Sequence, residues 1–454
     1  MKLILDREGS TPLPRQLETG IVEWIDQHNL ASGSRLPSIR QLAGTLGVSR
    51  NAVIEAYERL VASGHVRAKP GSGFFVTTPS RDASPFREIT NGLWGLFNQQ
   101  DEALNLGCGW LPSHWRESSD LTYAVRQVTR TDRSALLDYG TPHGSPHLRA
   151  LLQERLRALA IHVNAQQIVT TASGSHALDL LLRLLVKPGD TVFVESPGYY
   201  NLFGLLHLHG VRVVGVPRLT DGPDIEHLQT LLETHRPTLF YINSVFHNPT
   251  GSTLSPAVAH QLLRLAERHG FKLIEDDIYA DFQSTPSTRL ASLDGLNRVI
   301  YLGSFSKSLS ASLRVGFIAA PPALVQPLVS IKMLTSIVGA PFAEAVVALM
   351  LENGSYRRLT ERLATRLERY MGEAIQLLLH QARWEIFTAP TGGMFVWAKP
   401  AGKHRTRLDE LARDHDILLS PGQLFYPDQE TTPWRRLNVA YMKDARALRF
   451  FQAF

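Results

Sequence analysis

The chain has 454 residues, 44% of them hydrophobic and 20% charged, an ordinary balance for a globular protein of two or three domains with a sizeable core. A single cysteine, Cys108, excludes an internal disulfide, no stretch approaches the ~18 uninterrupted apolar residues of a membrane span, and "MKLILDREGS" lacks the apolar run of a signal peptide, so a cytoplasmic location is expected. A net charge of +5 is too small to argue for a nucleic-acid partner, but between Arg35 and Lys69 six basic residues face only Glu55 and Glu58, and phosphate attraction acts within a Debye length of about 10 Å.

In chain order, Leu17, Ile21, Trp24 and Ile25 recur on one apolar helix face. Ser38 with Gln41 has capping-box spacing and predicts a helix from about Ile39. "TLGVS" breaks that helix: Gly47 accepts the positive φ of a tight turn, and Ser49 suits the N-cap of the next helix. Ala43, Gly47, Val48, Val53 and Ala56 are small or apolar where two helices cross closely, which is helix-turn-helix logic. The second helix offers Arg50 and Asn51 at the end where recognition helices meet base edges. "HVRAKPGSGFFV" reads as a two-stranded hairpin with Gly71 and Gly73 at its tip, placed as a wing. A small helical protein-binding module is the plain alternative. The motifs "GSRLPSIRQLA", "LGVSRNAVIEAY" and "GSGFFV" resemble the winged-helix domain of GntR-family regulators over residues 8–77, with Ile39 standing where those regulators often carry a polar residue. The resemblance implies a double-stranded DNA operator as partner, contacts from Arg35, Arg40 and Arg50, and the wing near Gly71 in the minor groove.

The domain expected over 1–78 gives way to "TTPSRDASP", whose prolines and serines favour extended, solvated backbone. Residues 79–100 read as a linker, with "GLWGLF" at 92–97 apolar enough to dock. From 101 to 454 helical runs alternate with "QIVTTAS", "TVFVESP", "VRVVGVP", "LFYINSV", "KLIEDD" and "RVIYLGSFS". That alternation predicts an α/β domain with a mostly parallel central sheet and helices on both faces. The texture changes at "WEIFTAPTGGMFVWAKP", and a smaller α+β subdomain is expected over roughly 355–454.

"GSFSKSLSASLRVG" puts Lys307 just past a strand, at the sheet edge where α/β folds bind ligands. A lysine amine forms an imine when it can lose its proton and a carbonyl compound is held beside it. Ser304 and Ser306 offer hydroxyls to a phosphate, and Arg314 offers a rigid fork. A phosphorylated aldehyde such as pyridoxal 5′-phosphate satisfies all of them. "TASGSHAL" is a small-residue turn entering a helix, where free N–H groups cradle phosphate. Tyr199 in "SPGYY" is placed to stack on a flat ring, and Asn248 in "HNPTG" is a donor on a sharp turn. Asp276 in "LIEDDIY" ends a strand with Tyr279 three residues on; a carboxylate facing a pyridine nitrogen keeps it protonated. Arg436 in "RRLNVAY" is placed to grip a substrate carboxylate. Singly, each has a plain structural reading: a turn, a capping pair at Asp276 and Asp277, a core tyrosine, a surface arginine. The combination, each piece at the end of a strand pattern, carries the argument.

That order resembles the fold type I aminotransferases of the aspartate aminotransferase superfamily across 105–454. The resemblance implies that Lys307 forms the imine with pyridoxal 5′-phosphate, Asp276 pairs with the pyridine nitrogen, Asn248 and Tyr279 bond the phenolic oxygen, and Tyr199 stacks on the ring. It implies phosphate contacts from Ser173, Gly174, Ser175, Ser304, Ser306 and Arg314, an α-carboxylate site at Arg436, and a head-to-tail homodimer in which Tyr139 of "DYGTPHGSPHLR" reaches the phosphate of the other copy. "PTGGMFVW" resembles the small domain of aminoadipate- and kynurenine-type members. A GntR winged helix fused to such a domain resembles the MocR/GabR-type bacterial transcriptional regulators. The function implied is a regulator that binds pyridoxal 5′-phosphate and senses an amine, an amino acid or the vitamer itself. The alternatives are a working aminotransferase with an accessory DNA-binding head, since Asn248 and the rest of the set are kept, and a scaffold without cofactor.

Overall fold

The computed structural model describes residues 3, 12–27, 30, 33–62, 66–69, 73–77, 103–116, 119–401 and 408–454. The chain divides into two units, Met1–Glu88 and Ile89–Phe454. The segment read as a linker and Gly71 lie outside the described residues.

In the first unit, α1 (Leu13–Gln27) buries Leu17, Ile21 and Ile25 at helical spacing. They pack with Leu42, Val53, Ala56, Tyr57 and Leu60 of α2 (Ile39–Leu46) and α3 (Arg50–Ala62). The capping box forms: Gln41 N donates to Ser38 Oγ at 3.3 Å and Ser38 N donates to Gln41 Oε1 at 3.1 Å. Gly47 ends α2 at φ +63°, in the left-handed region. Ala52 N then donates to Ser49 Oγ at 3.1 Å, starting α3. Strands β1 (Val66–Lys69) and β2 (Gly73–Val76) pair antiparallel as the hairpin. Tyr57 ties the hairpin to α3, stacking on Phe74 at 4.3 Å while its hydroxyl donates to Pro37 O at 2.6 Å.

The second unit has β3 (Leu104–Asn105) as its first strand among the described residues. Its central sheet uses β4 (Ile168–Thr171), β5 (Thr191–Ser196), β6 (Arg212–Leu219), β7 (Gly222–Pro223), β8 (Pro237–Ile242), β9 (Lys272–Asp276), β10 (Val299–Ser304) and β11 (Gly316–Ala319), in the order β4-β11-β10-β9-β8-β5-β6-β7. The six strand runs read from the sequence become β4, β5, β6, β8, β9 and β10. Along β5, Val192 and Val194 join one core cluster and Phe193 the other, so this strand is buried on both faces. Strand β11 was not among those runs. It lies antiparallel between β4 and β10. The reason is the connection: residues 305–315 contain no helix, and without a crossover the chain returns antiparallel. That connection carries Lys307.

Beyond the sheet, the helix Ser355–Gln376 buries Leu359, Leu363, Leu367 and Met371 on one face. An antiparallel sheet follows from β12 (Trp384–Ile386), β13 (Phe395–Pro400) and β15 (Arg435–Asn438), while β14 (Ile417–Leu418) pairs with β3. Gly107 is required here, because a Cβ on it would stand 2.3 Å from Ser420 N. Among the described residues no helix is long and apolar enough to cross a membrane.

Candidate functional site

Parallel strands deliver their C-terminal ends to one edge of the sheet. Ser173 follows β4, Tyr199 follows β5, Asn248 follows β8, Asp276 ends β9 and Lys307 follows β10. The topology thus gathers residues spread over more than a hundred positions.

Lys307 is half-buried, and its Nζ donates to Gly109 O at 2.7 Å. Burial, reinforced by the Arg436 charge, pushes the amine down to about 8, against the pull of Cys108 and Asp276. Asp276 is buried. Its Oδ2 accepts from the Tyr241 hydroxyl, and its Oδ1 accepts from Ile278 N at 3.1 Å. Desolvation still pushes its carboxyl up to about 6. Burial pushes the Tyr199 hydroxyl up to about 12 and raises that of Tyr279 well above its ordinary value. Tyr279 meets Phe395 edge-on at 5.6 Å.

Arg436 is 1% exposed. Its Nε and Nη2 donate to Gly107 O at 3.2 and 2.7 Å, and its Nη1 donates to Asn248 Oδ1 at 2.9 Å. Rings of Phe395, Phe425 and Tyr200 lie 4.5, 4.9 and 5.6 Å from the guanidinium carbon. Among the described residues no carboxylate comes within ion-pair distance of it. A buried charge without a counter-ion is costly, and neighbouring rings offset only part of the cost. Because Asn248 gives its oxygen to Arg436, its NH2 is the end left to donate.

Ser173 caps the helix Gly174–Leu185 by accepting from His176 N at 3.1 Å. The N–H groups of Gly174 and Ser175 fall in the first turn, where no intrahelical acceptor exists. A Cβ on Gly174 would lie 3.8 Å from Ser304 Cβ, so this helix start adjoins the end of β10. Ser304 Oγ and Ser306 Oγ are 3.1 Å apart. Arg314 is exposed, at φ +54°, with its Nη1 3.5 Å from Ala311 O. Tyr139 stands apart, 81% exposed, with no hydrogen bond from its hydroxyl among the described residues.

In the first unit Arg35, Arg40, Arg50 and Asn51 are all exposed, and none has an ion pair or hydrogen-bond partner for its side chain among the described residues. Arg59 differs: Glu55 holds it at 2.8 Å.

Several participants had not been singled out from the sequence. The carbonyls of Gly107 and Gly109 hold Arg436 and Lys307; the small-residue run "LGCGW" was the available signal. Tyr241 and Asn243 bracket Asp276 from β8 and its end. A buried Glu195–Arg218 pair, with His247 at 3.4 Å, lies behind the Asn248 turn. Burial works against the Glu195 charge, but Arg218 and His247 outweigh it and bring the carboxyl down to about 2.

Residues 101–454 match the family described as "Aminotransferase class I and II", and residues 13–76 match "Bacterial regulatory proteins, gntR family". The chain is similar to the probable rhizopine catabolism regulatory protein MocR of Rhizobium meliloti, 29% identical over 419 residues that span 87% of this chain and 83% of that protein. It is similar to the 2-aminoadipate transaminase of Thermus thermophilus, 32% identical over 329 residues that span 70% of this chain and 80% of that enzyme. Among solved structures, alpha-aminoadipate aminotransferase LysN of Thermus thermophilus, complexed with N-(5′-phosphopyridoxyl)-L-leucine, matches at TM-score 0.71 and 28% identity, over 82% of this chain and 94% of that one. A helix-turn-helix head of the gntR kind precedes the larger unit, and by the match over that larger unit the chain belongs to the aminotransferase class I and II family.

Proposed function

We propose that this protein is a pyridoxal 5′-phosphate-dependent, DNA-binding transcriptional regulator whose aminotransferase-type unit senses an amine, an amino acid or the vitamer itself. The observation that carries the reading is Arg436, a buried guanidinium held by a carbonyl and an amide and reserved from every carboxylate of the described chain. Such a charge suits the carboxylate of a ligand.

The residues present fit the cofactor: an amine lowered to about 8, a buried carboxyl at about 6, and a helix start with serines beside it. When bound, pyridoxal 5′-phosphate supplies an aldehyde for amine capture and an electron sink. In this proposal Lys307 holds the aldehyde carbon, and its weakened hold on a proton suits it to do so. Asp276 keeps a proton on the ring nitrogen, Asn248 and Tyr279 donate to the phenolic oxygen, and Tyr199 lies against the ring. Ser173, Gly174, Ser175, Ser304, Ser306 and Arg314 take the phosphate. The exposure of Tyr139 supports its service to a second copy in a head-to-tail homodimer. Arg35, Arg40, Arg50 and Asn51 read a double-stranded operator in the cytoplasm. Coupling requires that the ligand bind one arrangement of the protein more tightly than another.

The test is an absorbance spectrum of the purified protein with pyridoxal 5′-phosphate, followed by operator binding with and without amino acids. A borohydride-reducible chromophore and an amino-acid-dependent change in DNA affinity are expected. A protein that stays colourless after incubation, or DNA binding indifferent to the vitamer and to every amine tried, overturns the reading. The lowered Lys307 amine also favours a second reading, a working aminotransferase in which Lys307 moves a proton as general base near neutral pH. Sustained 2-oxoacid production from an amino acid and a second 2-oxoacid distinguishes it.

A further inference from the structure

Asn243, one residue beyond β8, is 3% exposed, and all four of its hydrogen-bonding groups are engaged. Its side-chain oxygen accepts from Asn248 N at 2.7 Å, and its side-chain nitrogen donates to Asp276 O at 2.8 Å. Its backbone N–H donates to Glu195 Oε2 at 2.8 Å, and its carbonyl accepts from Arg218 Nη1 at 3.4 Å. Glu195 and Arg218 form a buried ion pair, and Arg218 Nε donates to Ser252 Oγ at 3.0 Å. His247 stands 3.4 Å from Glu195 and donates its backbone N–H to Ser252 O at 2.8 Å. The clamp therefore grips the turn that carries Asn248 from both sides.

We propose that Asn243 is a positioning residue: its single amide, fixed by the Glu195–Arg218 pair, sets the spacing between Asn248 and Asp276, and so the grip of the site on the phenolic oxygen and the ring nitrogen of its ligand. This inference rests on the roles given to Asn248 and Asp276 under the proposed function. Low-dielectric surroundings make such a satisfied network stiff, and removal of one member leaves buried groups unpaired. Leucine is close to asparagine in size but supplies neither bond. Aspartate keeps the acceptor toward Asn248 N and turns a lone pair toward Asp276 O.

The experiment uses the full chain loaded with pyridoxal 5′-phosphate, as wild type, Asn243→Leu and Asn243→Asp. Three quantities are read: the pH midpoint of the Lys307-dependent absorbance, the rate of vitamer loss on dilution, and the melting temperature. Asn243→Leu is expected to move the midpoint by about one pH unit and to speed vitamer loss about ten-fold. Asn243→Asp is expected to move the midpoint as well, and it carries the test should the leucine variant fail to fold. Variants that melt lower yet keep the wild-type midpoint and retention make Asn243 a structural residue only and overturn the proposal. Failure of both variants to fold overturns it equally, since Asn243 is then a folding element. A wild-type protein without a Lys307-dependent chromophore removes the reading of the site itself, and this inference with it.

Discussion

Arginine does opposite work in the two units. In the head, Arg35, Arg40 and Arg50 stand exposed, each free of a partner among the described residues. In the larger unit, Arg218, Arg289 and Arg436 are 2%, 0% and 1% exposed, and each is held by hydrogen bonds to fixed acceptors. An exposed guanidinium costs nothing to desolvate until a polyanion arrives, and its attraction then falls with salt. A buried one is immobile before any ligand comes, so it discriminates by geometry. The first arrangement suits a long, uniformly charged partner; in the second, Arg218 and Arg289 already hold Glu195 and Asp277, and Arg436 suits a small ligand with one carboxylate.

The sharpest way to break this contrast is Lys307→Ala. It is expected to abolish the borohydride-reducible adduct completely while operator binding without effector is unchanged, measured by reduction followed by mass spectrometry and by a gel shift. An adduct that survives refutes the assignment of the lysine. Next, Arg436→Leu leaves Asn248 Oδ1 and Gly107 O without their donor. It is expected to weaken the effect of a carboxylate-bearing amine about a hundred-fold while sparing amines without a carboxylate. Titration of the spectrum with both ligand types reads the difference.

On the other side of the comparison, Arg50→Ala is expected to weaken operator binding about ten-fold and to lower its salt dependence, with the chromophore untouched. A changed spectrum there would show that the two units are not independent. Smaller again is Ser38→Ala, which removes the capping box of α2 and should cost the head about 1 kcal/mol. Differential scanning calorimetry should show only the transition of the head moving. A further test is the pH response of the vitamer-free protein. The Asp276 carboxyl titrates near 6 when folded and near 4 when unfolded. The folded state therefore binds more protons across that window, and the contribution of Asp276 to stability falls as pH rises through it. Asp276→Asn should flatten that part of the stability profile.

Much of this was legible beforehand, for reasons that are local. The capping box at Ser38 and Gln41, the break at Gly47 and the alternation of strands with helices depend on neighbours a few residues apart. Once alternation implies a parallel sheet, residues at strand ends share an edge, which is how Ser173, Tyr199, Asn248, Asp276 and Lys307 could be grouped. Strand β11 was missed because four residues, "GFIA", carry too little pattern to separate a short buried strand from a loop.

The sequence by itself determined the helices and hairpin of the head, six strands of the central sheet and the residue types gathered at one edge of that sheet, because each rests on spacing within a single turn or strand. Only the tertiary structure decided that Gly107, 329 positions away, holds Arg436 through its carbonyl, that Gly109, 198 positions away, holds the Lys307 amine, and that Asn243 bridges Asn248 and Asp276. Carbonyls are common to every residue and amides to many, so no residue type marks which of them will meet. That is set by the path of the backbone through a packed core, where a separation of 329 positions closes to 2.7 Å.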